Sequence, residues 1–216
     1  MTRGFAVVLT LLVVGFVLFT AWWSTRRTDY FPAGLQSTFT DCESRHGWRD
    51  RQPVLSDFSD DWYSGVLSDF EEPSLYRRSS SSPRSVRFTW IRSFRGPVVV
   101  RADSSVDGRW RLTAKQNSVG AVFNPEPGVD HLRRLDRLLS KDEAEALDRA
   151  LVKSRLFDLP SKGCQVGLDG AQWVLEGADP VKGYHLRDFQ SPQSGPERDL
   201  GLFLLGLTGW NVDRIY

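Results

Sequence analysis

Over residues 86–90 and again over 109–115 apolar and polar residues alternate one for one, the period of a strand with one covered face. In VRFTWIRSF (86–94), Phe88, Trp90 and Arg92 fall on one side and Arg87, Thr89 and Ile91 on the other. A turn at Arg95-Gly96 leads into PVVVRAD (97–103), where Pro97 is tolerated at the strand start. Asp107-Gly108 then signals a hairpin into RWRLTAK (109–115), with Trp110, Leu112 and Ala114 inward and Arg109, Arg111, Thr113 and Lys115 outward. Three strands in series predict an antiparallel meander.

Residues 117–137 carry no clear period and read as a loop. Ser140 opens a helix through a capping box with Glu143, and Ala144, Leu147, Ala150 and Leu151 form its inner stripe until LPSKG stops it. A second hairpin follows, AQWVLEG (171–177) returning as GYHLRDF (183–189). In it Trp173 and Leu175 oppose Gln172, Val174 and Glu176. A last helix begins near Pro196 and buries Leu200, Phe203, Leu204 and Leu207 before Gly209. The predicted class is α+β: one antiparallel sheet in the order βββ-α-ββ-α, with its helices on a single face.

The pattern changes at the amino end. FAVVLTLLVVGFVLFTAWW (5–23) holds 19 residues without a charge, and as a helix it would reach roughly 28 Å, the thickness of a bilayer's hydrocarbon core. Trp22 and Trp23 lie where interfacial aromatics belong, and Arg26 and Arg27 follow. Residues 1–27 are therefore expected as a transmembrane anchor, with a cleaved signal peptide as the alternative. Phe19 and Trp22 are poor residues three before a cut at Ala21 or Ser24. Residues 28–84 read as a linker with one amphipathic helix near 59–71, whose inner face takes Trp62, Tyr63, Val66, Leu67 and Phe70. The α+β domain is expected over 85–216.

Composition adds compartment and charge. The 216 residues carry a net charge of +1, too little excess for a dedicated nucleic-acid binder. Locally the balance is uneven: residues 57–72 hold six carboxylates and no Lys or Arg, while residues 77–115 hold ten basic residues against Asp103 and Asp107. Such blocks either face each other, face water, or offer a basic surface to an anionic partner. Cys42 and Cys164 are the only cysteines. In an oxidising compartment they can pair; otherwise they are two independent thiols. With so few cysteines and three histidines, no metal site is expected, and no cofactor.

The fragments PVVVRAD with the following DG, a capped helix ending in FDLP, LDG before a strand and SP before a Leu-rich helix resemble a group of uncharacterised bacterial exported proteins and lipoproteins. The likeness covers about residues 86–209. It implies an exported α+β domain and transfers no site, because that group has no agreed activity.

The signatures of the common hydrolases, nucleotide-binding loops and zinc proteases are absent from the sequence. A Cys164/His185 pair, or Asp169 with Glu176 or Asp188, offers a conceivable reaction centre; an inert thiol and plain turn chemistry explain those residues more simply. What remains is the polar hairpin patch of Gln172, Glu176, His185, Arg187 and Asp188, flanked by Trp173 and Tyr184. It reads first as a solvated, salt-bridged face and second as a recognition surface for peptide or carbohydrate. The expected function is a non-enzymatic binding or scaffolding module of the cell envelope, tethered to the inner membrane by residues 5–23 with its domain in the periplasm, or secreted if the segment is cleaved. An envelope protein or glycan is the expected partner. The alternatives are an envelope hydrolase with an unrecognised active site and an immunity-type inhibitor.

Overall fold

A computed structural model describes residues 29–43, 49–79, 83–117, 132–159, 161–164, 170–212 and 215. Within them the chain begins with a one-turn helix α1 (Gly34–Ser37), a two-stranded ribbon of β1 (Phe39–Glu43) and β2 (Arg49–Pro53), then helices α2 (Asp57–Asp69) and α3 (Leu75–Arg78). Strands β3 (Ser85–Arg92), β4 (Arg95–Ser104), β5 (Trp110–Asn117) and β6 (Leu132–Leu138) follow, then helix α4 (Lys141–Ser154). Strands β7 (Lys162–Cys164), β8 (Ala171–Asp179) and β9 (Gly183–Gln190) and helix α5 (Pro196–Gly206) complete the order.

Seven strands form one sheet in the spatial order β6-β5-β4-β3-β8-β9-β7. The expected meander is its centre, extended by β8 pairing antiparallel to β3 from Ser85↔Ala178 to Arg92↔Ala171. The β1–β2 ribbon, in the stretch read as linker, was not foreseen, and neither were two strands of this sheet. Residues 132–138 lie in the stretch read as loop, yet they pair along all of β5. Their sequence, LRRLDRL, keeps Leu135 inward at an otherwise charged edge, which hides the alternation. Strand β7 joins the opposite edge parallel to β9, so the sheet is mixed and not purely antiparallel.

The arrangement of layers also corrects the expectation. One core lies where α4 and α5 pack on the sheet, with Phe88, Trp90, Trp110, Leu112, Trp173 and Leu175 against Leu147, Leu151, Leu200 and Leu204. A second core lies on the other face: Tyr30, Phe31, Leu35, Leu55, Tyr63, Leu67 and Phe70 cover Ile91, Val99, Val174 and Leu186. The helices therefore do not share a face. The described part of the stretch read as linker forms a cover over the sheet, giving three layers. Alternation alone did not reveal this, because Arg87, Thr89, Gln172 and Glu176 share that face with Ile91, Val99 and Val174 and make it read as the polar side. Among the described residues no helix is long and apolar enough to cross a membrane. Residues 5–23, expected as a transmembrane helix, lie outside them.

Local signals place the cover and the helices. Ser56 caps α2 by accepting from the Ser59 amide, and Asp57 and Asp60 sit in its first turn, where the helix dipole favours them. Ser140 and Glu143 form the expected capping box on α4. Arg137 holds Glu143 with two hydrogen bonds of 2.7 and 2.8 Å, and that contact first, then the Ser140 amide, brings the Glu143 carboxyl down to about 2. Cys42, in β1, is disulfide-bonded. The chain's one other cysteine is Cys164, in β7, whose backbone runs beside the β1–β2 ribbon.

Candidate functional site

The hairpin patch divides between the two faces of the sheet. Because Glu176 pairs with Leu186 and Ala178 with Tyr184, the residues Gln172, Glu176, Tyr184 and Asp188 face the cover. Trp173, His185 and Arg187 face α4 and α5. Glu176 therefore does not meet His185 or Arg187 across the strands, and the solvated, salt-bridged face expected from the sequence is not what these residues form. Gln172, Trp173, Glu176, Arg187 and Asp188 are buried; Tyr184 and His185 are half-buried.

On the cover side two polar joints form. In the first, Glu176 accepts 2.7 Å hydrogen bonds from Arg87 Nε and Nη2 and a 2.9 Å bond from the Tyr184 hydroxyl. Arg87 Nη1 also donates to the Pro73 carbonyl at 2.7 Å and lies 3.8 Å from Glu72. Glu72 in turn meets Arg101 at 2.7 Å and Lys115 at 2.9 Å. Burial alone would raise the Glu72 carboxyl, but Arg101, Arg87 and Lys115 together bring it below its ordinary value. Burial, and then the neighbouring Glu176, drives the Tyr184 hydroxyl well above its usual range. The acidic and basic blocks of the sequence thus meet here, through Glu72.

In the second joint Asp188 accepts from the Tyr63 hydroxyl at 2.9 Å and from the Gln172 side-chain amide. No cation takes part in either hydrogen bond. Burial pushes the Asp188 carboxyl up to about 7, although both hydrogen bonds oppose the shift. Tyr63 comes from α2, Gln172 from β8 and Asp188 from β9, so the joint pins the cover to two strands.

On the other face Trp173 lies in the core against Phe88 and Trp90, with ring centroids 5.0 and 5.9 Å away. Arg187 is paired with Glu197 at the start of α5. The His185 ring stands edge-on to Phe157 at 5.8 Å and contacts the Lys182 carbonyl at 3.0 Å. Among the described residues no group of three or more His, Cys, Asp or Glu side chains is placed to hold a metal ion.

The surface residues that sequence reasoning missed lie on α2. Trp62 was expected on the inner face beside Tyr63; it is instead 40% exposed, and Phe58 one turn earlier is 70% exposed. Their rings sit 5.9 Å apart at 42°. Helical geometry held the clue: Trp62 lies 100° from Tyr63, and the buried Ser59, Tyr63 and Leu67 define the inner line without it.

No protein-family model matches the chain, nor does any curated protein.

Proposed function

We propose that the chain is a membrane-tethered, extracytoplasmic module that binds or scaffolds a component of the cell envelope. The disulfide at Cys42 is the observation that carries this reading. Structural disulfides persist in oxidising compartments and are rare where thiols are kept reduced, and the apolar run 5–23 supplies a route of export and a tether. A binding role is supported by the way the hairpin's polar groups are engaged. Glu176 holds Arg87, Asp188 holds Tyr63 and Gln172, and Arg187 holds Glu197, each inside the fold. A partner meets other residues first, and among the described residues Phe58 and Trp62 of α2 form an adjacent exposed aromatic pair.

The test is compartment and sedimentation. A periplasm-dependent reporter fused after Tyr216 should be active and a cytoplasm-dependent one silent, and the full chain should stay with vesicles through carbonate extraction. The reverse reporter pattern, or recovery in the wash, rejects the tethered, exported reading.

A further inference from the structure

The α2 aromatics form a defined surface. Phe58, Trp62, Gly65 and Asp69 follow one another at i, i+4, i+7 and i+11, a single line along the helix, and all four are exposed. Asp57 and Asp61 flank that line and are also exposed. Trp62 rests on Tyr63 with ring centroids 5.6 Å apart, and the Tyr63 hydroxyl is fixed by Asp188. The platform is therefore held rigid from beneath, which lowers the ordering cost of binding. Beyond the aromatic pair, Gly65 leaves open space: a Cβ placed there would touch nothing within 4 Å.

Its electrostatics select the occupant. The α2 segment and the turn after it, residues 57–72, contain six carboxylates and no Lys or Arg. Glu72 is directed inward to the sheet and Asp60 to Gln36 and Ser64, whereas Asp57, Asp61, Asp69 and Glu71 lie at the surface. Anionic lipid and nucleic acid would be repelled. Guanidinium and ammonium groups are drawn both to the carboxylates and to the faces of exposed Trp and Phe rings.

We propose that the outer face of α2 is a docking surface for a cationic peptide segment of another protein, which lays Arg or Lys side chains over Phe58 and Trp62 and pairs them with Asp57 and Asp69. The proposal rests on the binding-module reading and names the chemistry of the partner. The probe is a fluorescently labelled decapeptide of alternating arginine and leucine, followed by polarisation against the full chain in non-ionic detergent. Saturable binding is expected, weakened at least tenfold by F58S/W62S, with a shallower salt dependence in D57N/D69N. The D57N/D69N pair decides the matter if F58S/W62S lowers the unfolding midpoint. Absence of saturable binding overturns the proposal, as does unchanged affinity and salt dependence in the variants. So does equal or tighter binding of a glutamate–leucine decapeptide or a neutral chito-oligosaccharide. Because this assay runs in detergent, its failure leaves the reporter and sedimentation results standing, and their failure leaves it standing.

Discussion

Arg87 on β3 and Glu176 on β8 are register partners, joined by two 2.7 Å hydrogen bonds and wholly removed from solvent. A carboxylate that looked like part of an open face is thus the counter-charge of a buried arginine. Removing one member of such a pair leaves the other charge uncompensated, at a cost of about 3–5 kcal/mol. Glu176→Gln and Arg87→Met should each lower the chemical-denaturation midpoint strongly. The double variant R87M/E176L should cost less than the sum of the two single changes, because it strands no charge. His185→Ala, on the other face and half-exposed, should move stability by no more than about 0.5 kcal/mol. Near-additive losses at 87 and 176 would mean that the pair is not coupled.

The strand faces were legible because side-chain period is a local property. Phe88, Trp90, Trp110, Leu112, Trp173 and Leu175 line the first core as their alternation requires. What alternation cannot say is what lies opposite the polar side. Arg87, Thr89, Glu176 and Gln172 read as solvent-facing, and the cover that buries them comes from residues within 29–43 and 49–79, distant in sequence and polar in composition. The signal was present in the short apolar runs Trp90-Ile91, Val98–Val100 and Trp173–Leu175, which mark strands buried on both faces, and in paired charge blocks, the carboxylates of 57–72 and the bases of 77–115. The contact that joins them, Glu72 with Arg87, Arg101 and Lys115, depends on tertiary structure.

The Asp188 joint makes stability depend on pH near neutrality. Its carboxyl is raised from 3.8 to about 7 in the folded chain, so the folded state binds the proton more tightly than the unfolded one. The stability this contributes is fully present below the unfolded value and is lost as pH rises through about 7. The loss across that window is on the order of 4 kcal/mol. Asp188→Asn removes the ionisation and keeps the shape of the side chain. Thermal melts between pH 4 and pH 8 should show a decline in the wild type that flattens in the variant. Identical pH profiles would show that Asp188 does not titrate in this range.

Cys42 is buried and disulfide-bonded in the β1–β2 ribbon, so its replacement should loosen that ribbon and the cover beside it before the rest. Mass mapping under non-reducing conditions should recover a peptide pair joining Cys42 to Cys164. Closing a loop of that length contributes about 4–5 kcal/mol in the chain-entropy model. Dithiothreitol should therefore lower the unfolding midpoint, and Cys42→Ser should mimic it without any further response to reductant. Hydrogen exchange should rise first at Val54, Leu55 and Tyr63, whose side chains belong to the cover's core. Two free thiols in exported material would reject the bridge.

Gly201 sets how closely α5 approaches the sheet. It is buried in mid-helix, where glycine is ordinarily unfavourable by about 1 kcal/mol relative to alanine, so helix propensity alone predicts that Gly201→Ala stabilises the chain. Packing predicts the opposite. A Cβ at this position would stand 2.8 and 2.9 Å from two ring carbons of Trp173 and 3.1 Å from one of Phe88. Trp173 cannot yield easily: its ring is held between Phe88 and Trp90, with the Arg198 guanidinium 5.3 Å from its centroid. Overpacking a filled core costs about 1–3 kcal/mol, which meets or exceeds the propensity gain. Gly201→Ala should therefore lower the thermal midpoint, and Gly201→Ala with Trp173→Phe should recover part of the loss by returning space to the contact. A stabilised single variant would mean that α5 can shift outward without penalty.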